Sequence, residues 1–265
     1  MFLAKRLEKH NRWPQPDFNQ CMYMVDFINQ ANPTKIEFAE FLKVGEPKAR
    51  SFLEGLRACG LITHNTRTKT FVPTNLFEIA SEFTTEDLCA IMYFLYSQNL
   101  EVGHWLIYEV FSNLAAKGIN KVSVEEIKTK YLDDLVEDKT KKQIFKPLFG
   151  ELYTFFGNFS GKANHRSLFS NLEMFHAENN MLCFKPYEPK LEVMYFLFIN
   201  ATKHFFKNNN SFAVSFFTDC DSLPFRGFFL PIHTIKNYLL EFERLGYIRI
   251  VKSADLNHVY LNNFL

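Results

Sequence analysis

The stretch TKIEFAEFLKVGEPKARSFLEGLRACGLIT, residues 34–63, decides the fold. Its first part, residues 34–42, carries apolar side chains at helical spacing, which predicts a short amphipathic helix. Thr34 is the first residue of this segment and can cap the helix with its hydroxyl group. Upstream, residues 17–30 repeat the same apolar spacing, so we expect one more helix there.

A tight turn joins this short helix to the next one. Gly45 is free to take a positive φ, and Pro47 stands at a helix start, where its missing N–H costs nothing. Residues 47–59 then show the periodicity of a second amphipathic helix. Gly60 follows its last turn and is expected to end it.

Two β-prone runs come next, at 61–63 and 70–72, and they flank a polar tip at residues 64–69. Helix, tight turn, helix and β-hairpin is the order of elements in a winged helix. We therefore predict an N-terminal arm and winged-helix domain over residues 1–80.

The middle of the chain, residues 81–207, is predicted to be a helical domain. Helical periodicity covers five segments in and just before it, at 75–97, 104–117, 123–132, 137–157 and 188–207. A short apolar run at 181–184 interrupts them.

Residues 208–265 repeat the first pattern more faintly. Residues 212–217 are strand-like, Pro231 opens a helix, and β-prone runs flank a polar turn after Gly246. The phrases LRACGLIT and FERLGYIRI share one arrangement of helix, glycine and strand. The predicted fold class is mostly α with small β-wings: a winged-helix N-terminal unit, a helical middle and a second winged-helix-like C-terminal unit.

Composition limits the function. The formal net charge of +1 is low for a protein that grips a long stretch of nucleic acid, because phosphate neutralisation supplies most of that affinity. Any DNA binding must therefore come from local patches, be weak, or be shared with a partner. The 31 phenylalanines fall mostly in apolar-periodic segments, which favours core packing over base stacking.

The compartment follows from cysteines and hydropathy. The five cysteines are scattered without a Cys-X-X-Cys pair, which fits a reducing compartment. The charged segment 1–13 lacks the apolar stretch of a secretory signal, and no run approaches the roughly 20 apolar residues of a membrane span. We expect a cytoplasmic protein with no membrane partner.

Catalytic and metal-binding patterns are not found. The eight histidines show no His-X-His or His-Glu-X-X-His spacing, and Asp219-Cys220-Asp221 lacks the following glycine and glutamate of a calcium loop. Neither the P-loop pattern nor Gly-X-Gly-X-X-Gly occurs. The sequence predicts no cofactor, no metal site and no enzymatic activity.

Binding remains, with double-stranded DNA as the expected partner. In a winged helix the second helix of the pair enters the major groove, and its first turn reaches base edges. Outward-facing residues of that helix and cations of the wing tip are the predicted DNA contacts: Lys48, Arg50, Ser51, Arg57, Arg67 and Lys69. Protein contact through the same fold is the alternative, with these charges merely solvated.

Several blocks resemble a family of uncharacterised bacterial proteins encoded beside DNA-phosphorothioation and phage-defence genes. The resemblance lies in KVGEPKARSFLEGLRACGLI (43–62), VPTNLFEIA (72–80), EDLCAIMYFLYSQNLEVGHWLIYEVF (86–111), KKQIFKPLFGELYTFF (141–156) and LLEFERLGYIRIVKSADLNHVYL (239–261). The family's usual His-Glu-Thr-Phe-like opening is not present in residues 1–30. The resemblance implies a DNA-associated accessory component that works with other proteins of the same operon, without a known catalytic activity.

Two other functions remain open. A plasmid-type replication initiator, or a transcription regulator, could place tandem winged helices on successive turns of DNA; an initiator would bind direct repeats near its own gene. A protein–protein adaptor without DNA binding would hold a partner through the aromatic helices at 86–111 and 188–207, and would have no DNA affinity at low salt.

Overall fold

The protein was analysed as a computed structural model that describes residues 17–99, 105–132, 168–178, 181–205, 211–213, 217, 224–253 and 256–261. These residues are mostly helical, with three small antiparallel sheets. No helix in this described part is long and apolar enough to cross a membrane. The N-terminal arm and the predicted helix at 137–157 lie outside the described residues.

The first unit follows the predicted order of elements. Its elements are α1 (Phe18–Ala31), α2 (Lys35–Phe41), α3 (Glu46–Ala58), β1 (Ile62–Asn65) and β2 (Thr70–Pro73). Thr34 caps α2 as expected: its hydroxyl accepts from the Glu37 N–H, and its own N–H donates to the Glu37 carboxylate at 2.7 Å. Gly60 ends α3 with φ +73°, the left-handed conformation that glycine adopts without strain.

The short extended segment before α2 pairs with this hairpin like a third strand. Thr34 pairs with Thr70, and the Phe71 N–H donates to the Pro33 carbonyl at 2.9 Å. β2 therefore lies between β1 and the short extended segment at 33–34. This pairing fixes the hairpin against the start of α2.

The helical middle needs correction, because it contains a sheet. Its helices are α4 (Asn75–Glu78), α5 (Thr85–Asn99), α6 (π-helical Trp105–Ser112 continued by Asn113–Ala116) and α7 (Val124–Glu126 continued by π-helical Ile127–Leu132). Its strands are β3 (Lys121–Ser123), β4 (Phe175–Glu178) and β5 (Met181–Phe184), with β5 in the centre. The apolar run at 181–184 forms β5, and the sequence did not predict its two partner strands.

The continuous helix predicted at 75–97 is wrong. The chain forms α4 and a turn of 3₁₀-helix at Ala80–Glu82, and starts afresh at α5. The physical reason is a second capping pair: the Asp87 N–H donates to the Thr84 hydroxyl at 3.2 Å, and the Thr84 hydroxyl donates to the Asp87 carboxylate at 2.6 Å.

The C-terminal part contains α8 (Leu191–Phe205), β6 (Ser211–Ala213), α9 (Pro224–Gly227), α10 (Ile232–Arg244), β7 (Ile248–Ser253) and β8 (Leu256–Leu261). Gly246 ends α10 with φ +77°, as expected. Aromatic contacts join α8, which we had placed in the middle domain, to this part of the chain. The Phe198 ring lies 5.5 Å from the Phe242 ring on α10 and 5.9 Å from the Phe225 ring on α9.

One sheet topology occurs three times. In each sheet the last strand is central, and its antiparallel neighbours are the preceding strand of a hairpin and an earlier extended segment. The central strands are β2, β5 and β8. The sequence predicted the hairpins at the two ends of the chain, and the structure adds the strand order of these sheets and the whole middle sheet.

The aromatic residues of the described segments build the core. Eight of the largest fully buried side chains are phenylalanines: Phe38, Phe111, Phe169, Phe198, Phe217, Phe225, Phe228 and Phe242. Three cysteines, Cys21, Cys59 and Cys89, are fully buried, as is typical of cysteine packed as a small apolar residue.

Candidate nucleic-acid interface

A groove of about 520 Å³ runs between α3 and the β1–β2 hairpin, and we call it the α3–hairpin groove. Its lining residues are Lys35, Arg50, Leu53, Glu54, Arg57, His64, Thr66, Lys69 and Phe71. Four side chains in this set are cationic and one is a carboxylate, so the groove is far more positive than the whole chain. It is a local basic patch on a nearly neutral protein.

Three of the six predicted DNA contacts meet in this groove. Arg50 and Arg57 reach it from α3, and Lys69 reaches it from the hairpin tip. Lys48 and Arg67 are exposed but lie outside its lining.

Ser51 was expected to face outward, and that expectation is wrong. Its side chain is only 7% exposed, and its hydroxyl donates to the Pro47 carbonyl one turn earlier at 3.2 Å. The apolar stripe of α3 is wide enough to include position 51, and the backbone bond satisfies the buried hydroxyl. Ser51 therefore stays out of the interface that we propose below.

Lys35 and His64 line the groove and were missed by the sequence reading. Lys35 begins α2, and two contacts place it beside the groove: its Nζ lies 2.6 Å from the Glu46 carboxylate of α3, and the preceding Thr34 pairs with Thr70 of the hairpin. His64 lies on β1, where its ring packs 4.9 Å from the buried Phe71 ring. The alternation of side chains along the hairpin was the signal that could have placed His64 on this face.

The four cations differ in their pairing. The Arg50 Nε lies 2.7 Å from the Glu54 carboxylate, and the Lys35 Nζ lies 2.6 Å from the Glu46 carboxylate. Within the described segments, Arg57 and Lys69 have no ion-pair partner, and both are exposed. Arg57 and Lys69 are therefore the cations most available to an incoming anion.

The hairpin tip has a defined shape. The Asn65 side-chain oxygen accepts from the backbone N–H groups of Arg67 at 3.1 Å and Thr68 at 3.4 Å, which closes an Asx turn. Lys69 has φ +59°, and the hydroxyls of Thr68 and Thr70 lie 2.7 Å apart. These contacts hold the Lys69 backbone on the groove side of the tip.

This arrangement can bind an extended polyanion. Exposed arginine and lysine side chains on two separate elements can contact successive phosphate groups of a backbone. The exposed Lys48 in the first turn of α3 is in the part of a recognition helix that reaches base edges. The described segments hold no group of three or more His, Cys, Asp or Glu side chains that could hold a metal ion.

The aromatic helices proposed for an adaptor are core elements in the described segments. The side chains of Tyr93, Tyr96, Tyr108 and Phe198 are all fully buried. Because they pack inside the molecule, these side chains are not available to a partner protein. Half-buried side chains of the same helices, among them Leu95 and Phe196, line an open groove, so the adaptor alternative stays a prediction.

Comparison with known proteins identifies the fold. No protein-family model matches the sequence, and no curated protein matches it. Among solved structures, an SspB crystal structure is similar with a TM-score of 0.68 at 10% identity, covering 99% of this chain and 86% of that one. A magnesium ion-bound SspB crystal structure gives a TM-score of 0.67 at 12% identity, covering 98% and 85%. At these identities the likeness establishes a shared fold over nearly the whole chain.

Proposed function

We propose that this chain is a DNA-contacting accessory component of a bacterial DNA-modification or phage-defence system of the phosphorothioation type. In this proposal the N-terminal unit is a winged helix that holds duplex DNA in the α3–hairpin groove. The observation that carries the proposal is the convergence of Arg57 and Lys69, from two different elements, on one groove.

The order of the first unit supports the winged-helix interpretation. A helix, a short edge segment, two helices joined by a tight turn and a hairpin follow one another, and the edge segment pairs with the second hairpin strand. In this arrangement α3 is the recognition helix, and the hairpin is the wing that touches the phosphate backbone.

Two independent likenesses support the proposed system. The sequence blocks resemble proteins encoded beside phosphorothioation and defence genes, and the fold is similar to SspB over nearly the full chain. The near-neutral net charge implies that DNA affinity is modest and that other proteins of the same operon share the binding.

Fluorescence anisotropy with a mixed-sequence duplex at 50 mM salt tests DNA contact. The double variant Arg57→Ala/Lys69→Ala removes the two unpaired groove cations and should weaken binding about tenfold or more, since charge-assisted hydrogen bonds are worth about 1.5–3 kcal/mol each. The control Lys128→Ala/Lys185→Ala removes the same charge from surface lysines of the middle part and should bind like the parent. Equal binding by both double variants would refute the proposed interface.

The proposal assigns no catalytic step to this chain. Because one of the similar SspB structures is magnesium ion-bound, a supercoiled plasmid incubated with the protein and Mg²⁺ is the appropriate check. We expect the plasmid to stay supercoiled with Mg²⁺ and with EDTA. Magnesium-dependent nicking that co-elutes with the protein would refute the statement that this chain is not catalytic. It would not affect the assignment of the α3–hairpin groove to DNA contact.

A further inference from the structure

The two ends of the chain contain equivalent helices with different exposed faces. α3 and α10 each have 13 residues, and each ends in a glycine with positive φ, +73° at Gly60 and +77° at Gly246. A hairpin follows each glycine after the same short spacing. Position 46 therefore corresponds to 232, and each later residue of α3 corresponds to one of α10.

Of the two groove cations of α3, Arg50 corresponds to the cation Lys236, but Arg57 has no cationic counterpart in α10. Arg57 corresponds to Glu243, whose carboxylate accepts from the Ile250 N–H of β7 at 2.6 Å. A carboxylate bound to the wing strand opposes phosphate at this place. The position that carries the groove cation Arg57 in α3 therefore carries an anion in α10.

Apolar side chains take the place of charges on the exposed face of α10. Glu46 corresponds to Ile232, and Glu54 corresponds to Leu240, which are 51% and 55% exposed. Lys236 lies between them, four residues from each, so the three side chains form one stripe. This helix face therefore exposes two large apolar side chains, two turns apart, with a lysine between them.

The stripe begins at a second groove, of about 540 Å³, between α10 and the turn after α6, and we call it the α6–α10 groove. Ile119 and Ile232 lie in its lining, and they are two of the six large apolar side chains that are exposed in the described segments. Phe184, Phe229 and Ile235 supply further apolar lining. The groove is therefore apolar and open at its rim.

Basic side chains flank this groove. Lys117 and Lys121 stand on either side of Ile119, Lys236 follows Ile235, and all three are exposed without an ion-pair partner among the described residues. Arg226 also lines the groove and donates to the Ser112 hydroxyl at 3.1 Å. The nearby Glu188 carboxylate is engaged by the Thr234 hydroxyl at 3.3 Å.

We infer that the α6–α10 groove binds an amphipathic acidic segment of a partner protein. Apolar side chains of that segment pack on Ile119 and Ile232, and its carboxylates face Lys117, Lys121 and Lys236. Charge complementarity selects this occupant over a second copy of the chain, because a twofold contact through this face would bring the same lysines together. The inference deepens the assembly part of the proposed function, and its test uses no DNA, so the two can fail separately.

The probe is a fluorescein-labelled, 18-residue peptide of leucine and glutamate at helical spacing, compared with a leucine–lysine counterpart and a serine–glutamate counterpart. We expect the full-length protein to bind the leucine–glutamate peptide at least about tenfold more tightly than either counterpart. Binding of the leucine–lysine peptide with equal affinity, or no binding of any peptide, would overturn the inference.

Matched variants locate the binding. Ile232→Asp should weaken binding of the leucine–glutamate peptide about tenfold, whereas Ile36→Asp, at a similarly exposed isoleucine of α2 (55%), should leave it unchanged. Lys117→Glu/Lys236→Glu should shift the preference toward the leucine–lysine peptide. Because all four side chains are exposed, unchanged urea midpoints are expected and serve as the folding control. Equal loss in Ile232→Asp and Ile36→Asp would refute the site.

Discussion

The Arg50 Nε and the Glu54 Oε1 lie 2.7 Å apart across one turn of α3, inside the α3–hairpin groove. Both side chains are partly solvated, at 63% and 33% exposed, so the pair contributes little to stability. The pair matters for the charge of the groove, because Glu54 is the one carboxylate in the lining. It forms an ion pair with an arginine that could otherwise contact phosphate.

Replacing this carboxylate should strengthen DNA binding. Glu54→Gln removes one negative charge and frees Arg50, and we expect duplex affinity at 50 mM salt to rise about three- to tenfold. The control Glu40→Gln changes an exposed carboxylate of α2 outside the groove lining and should have a smaller effect. Anisotropy titration measures both. Reduced affinity in Glu54→Gln would mean that Arg50 binds DNA only in the position that Glu54 imposes.

An ion pair between a buried carboxylate and an exposed lysine links two distant segments. The Lys190 Nζ lies 2.7 Å from the Asp87 Oδ2, and the Asp87 residue is 6% exposed. Burial alone would raise the pKa of Asp87, but hydrogen bonds from Lys190 and Thr84 outweigh it and hold that pKa below its usual value. Such a depressed pKa gives stability that is present above the unfolded pKa of about 3.9 and is lost as pH falls through the folded pKa.

Asp87→Asn should therefore lower the free energy of unfolding at pH 7 by about 2 kcal/mol, because it leaves a buried capping site with weaker bonds. It should also reduce the loss of stability between pH 5 and pH 3 relative to the parent. Urea unfolding at several pH values measures both effects. Asp26→Asn, on the exposed side of α1, is the control and should follow the parent curve. An unchanged acid profile in Asp87→Asn would contradict this account.

The two helix-ending glycines give a matched pair for stability. An added Cβ at Gly246 meets nothing within 4 Å, whereas at Gly60 it lies 2.6 Å from the Leu95 Cδ1. Gly246→Ala should cost about 1–2 kcal/mol from the left-handed backbone alone. Gly60→Ala should cost about 1 kcal/mol more, because the Leu95 side chain must move. Equal shifts of the urea midpoint would show that Leu95 turns into the cavity beside it without penalty.

The sequence predicted the elements whose signals are local. Thr34 marks the start of α2, Pro47 marks the first turn of α3, and Gly60 and Gly246 mark the ends of the two equivalent helices. The expected positive φ of Gly45 is wrong: Gly45 caps α3 with φ −68°, and Lys43 takes the positive φ of the turn. Strands of three or four residues carry too little periodicity to stand out, so β3 and β4 of the middle sheet were missed. Their pairing with β5 depends on contacts about 60 residues away in the case of β3.

The groove was predictable only in part, for the same reason. Arg50, Arg57 and Lys69 follow from the order of helix and hairpin, but the position of Lys35 depends on its ion pair with Glu46 and on the pairing of Thr34 with Thr70. Ser51 is the opposite case: it was predicted to be exposed and is buried. A small polar residue can face inward when a carbonyl of the preceding turn accepts a hydrogen bond from its hydroxyl. Side-chain direction at the edge of an amphipathic stripe depends on such contacts and not on spacing alone.

The salt dependence of duplex binding tests the central claim most directly. Duplex affinity measured from 50 to 200 mM salt gives a log–log slope that counts neutralised phosphates. We expect a steep slope for the parent protein, a slope smaller by about two for Arg57→Ala/Lys69→Ala, and an unchanged slope for Lys128→Ala/Lys185→Ala. A parent protein that binds no duplex at 50 mM salt, or a slope that the groove variant leaves unchanged, would contradict the assignment of this groove to DNA.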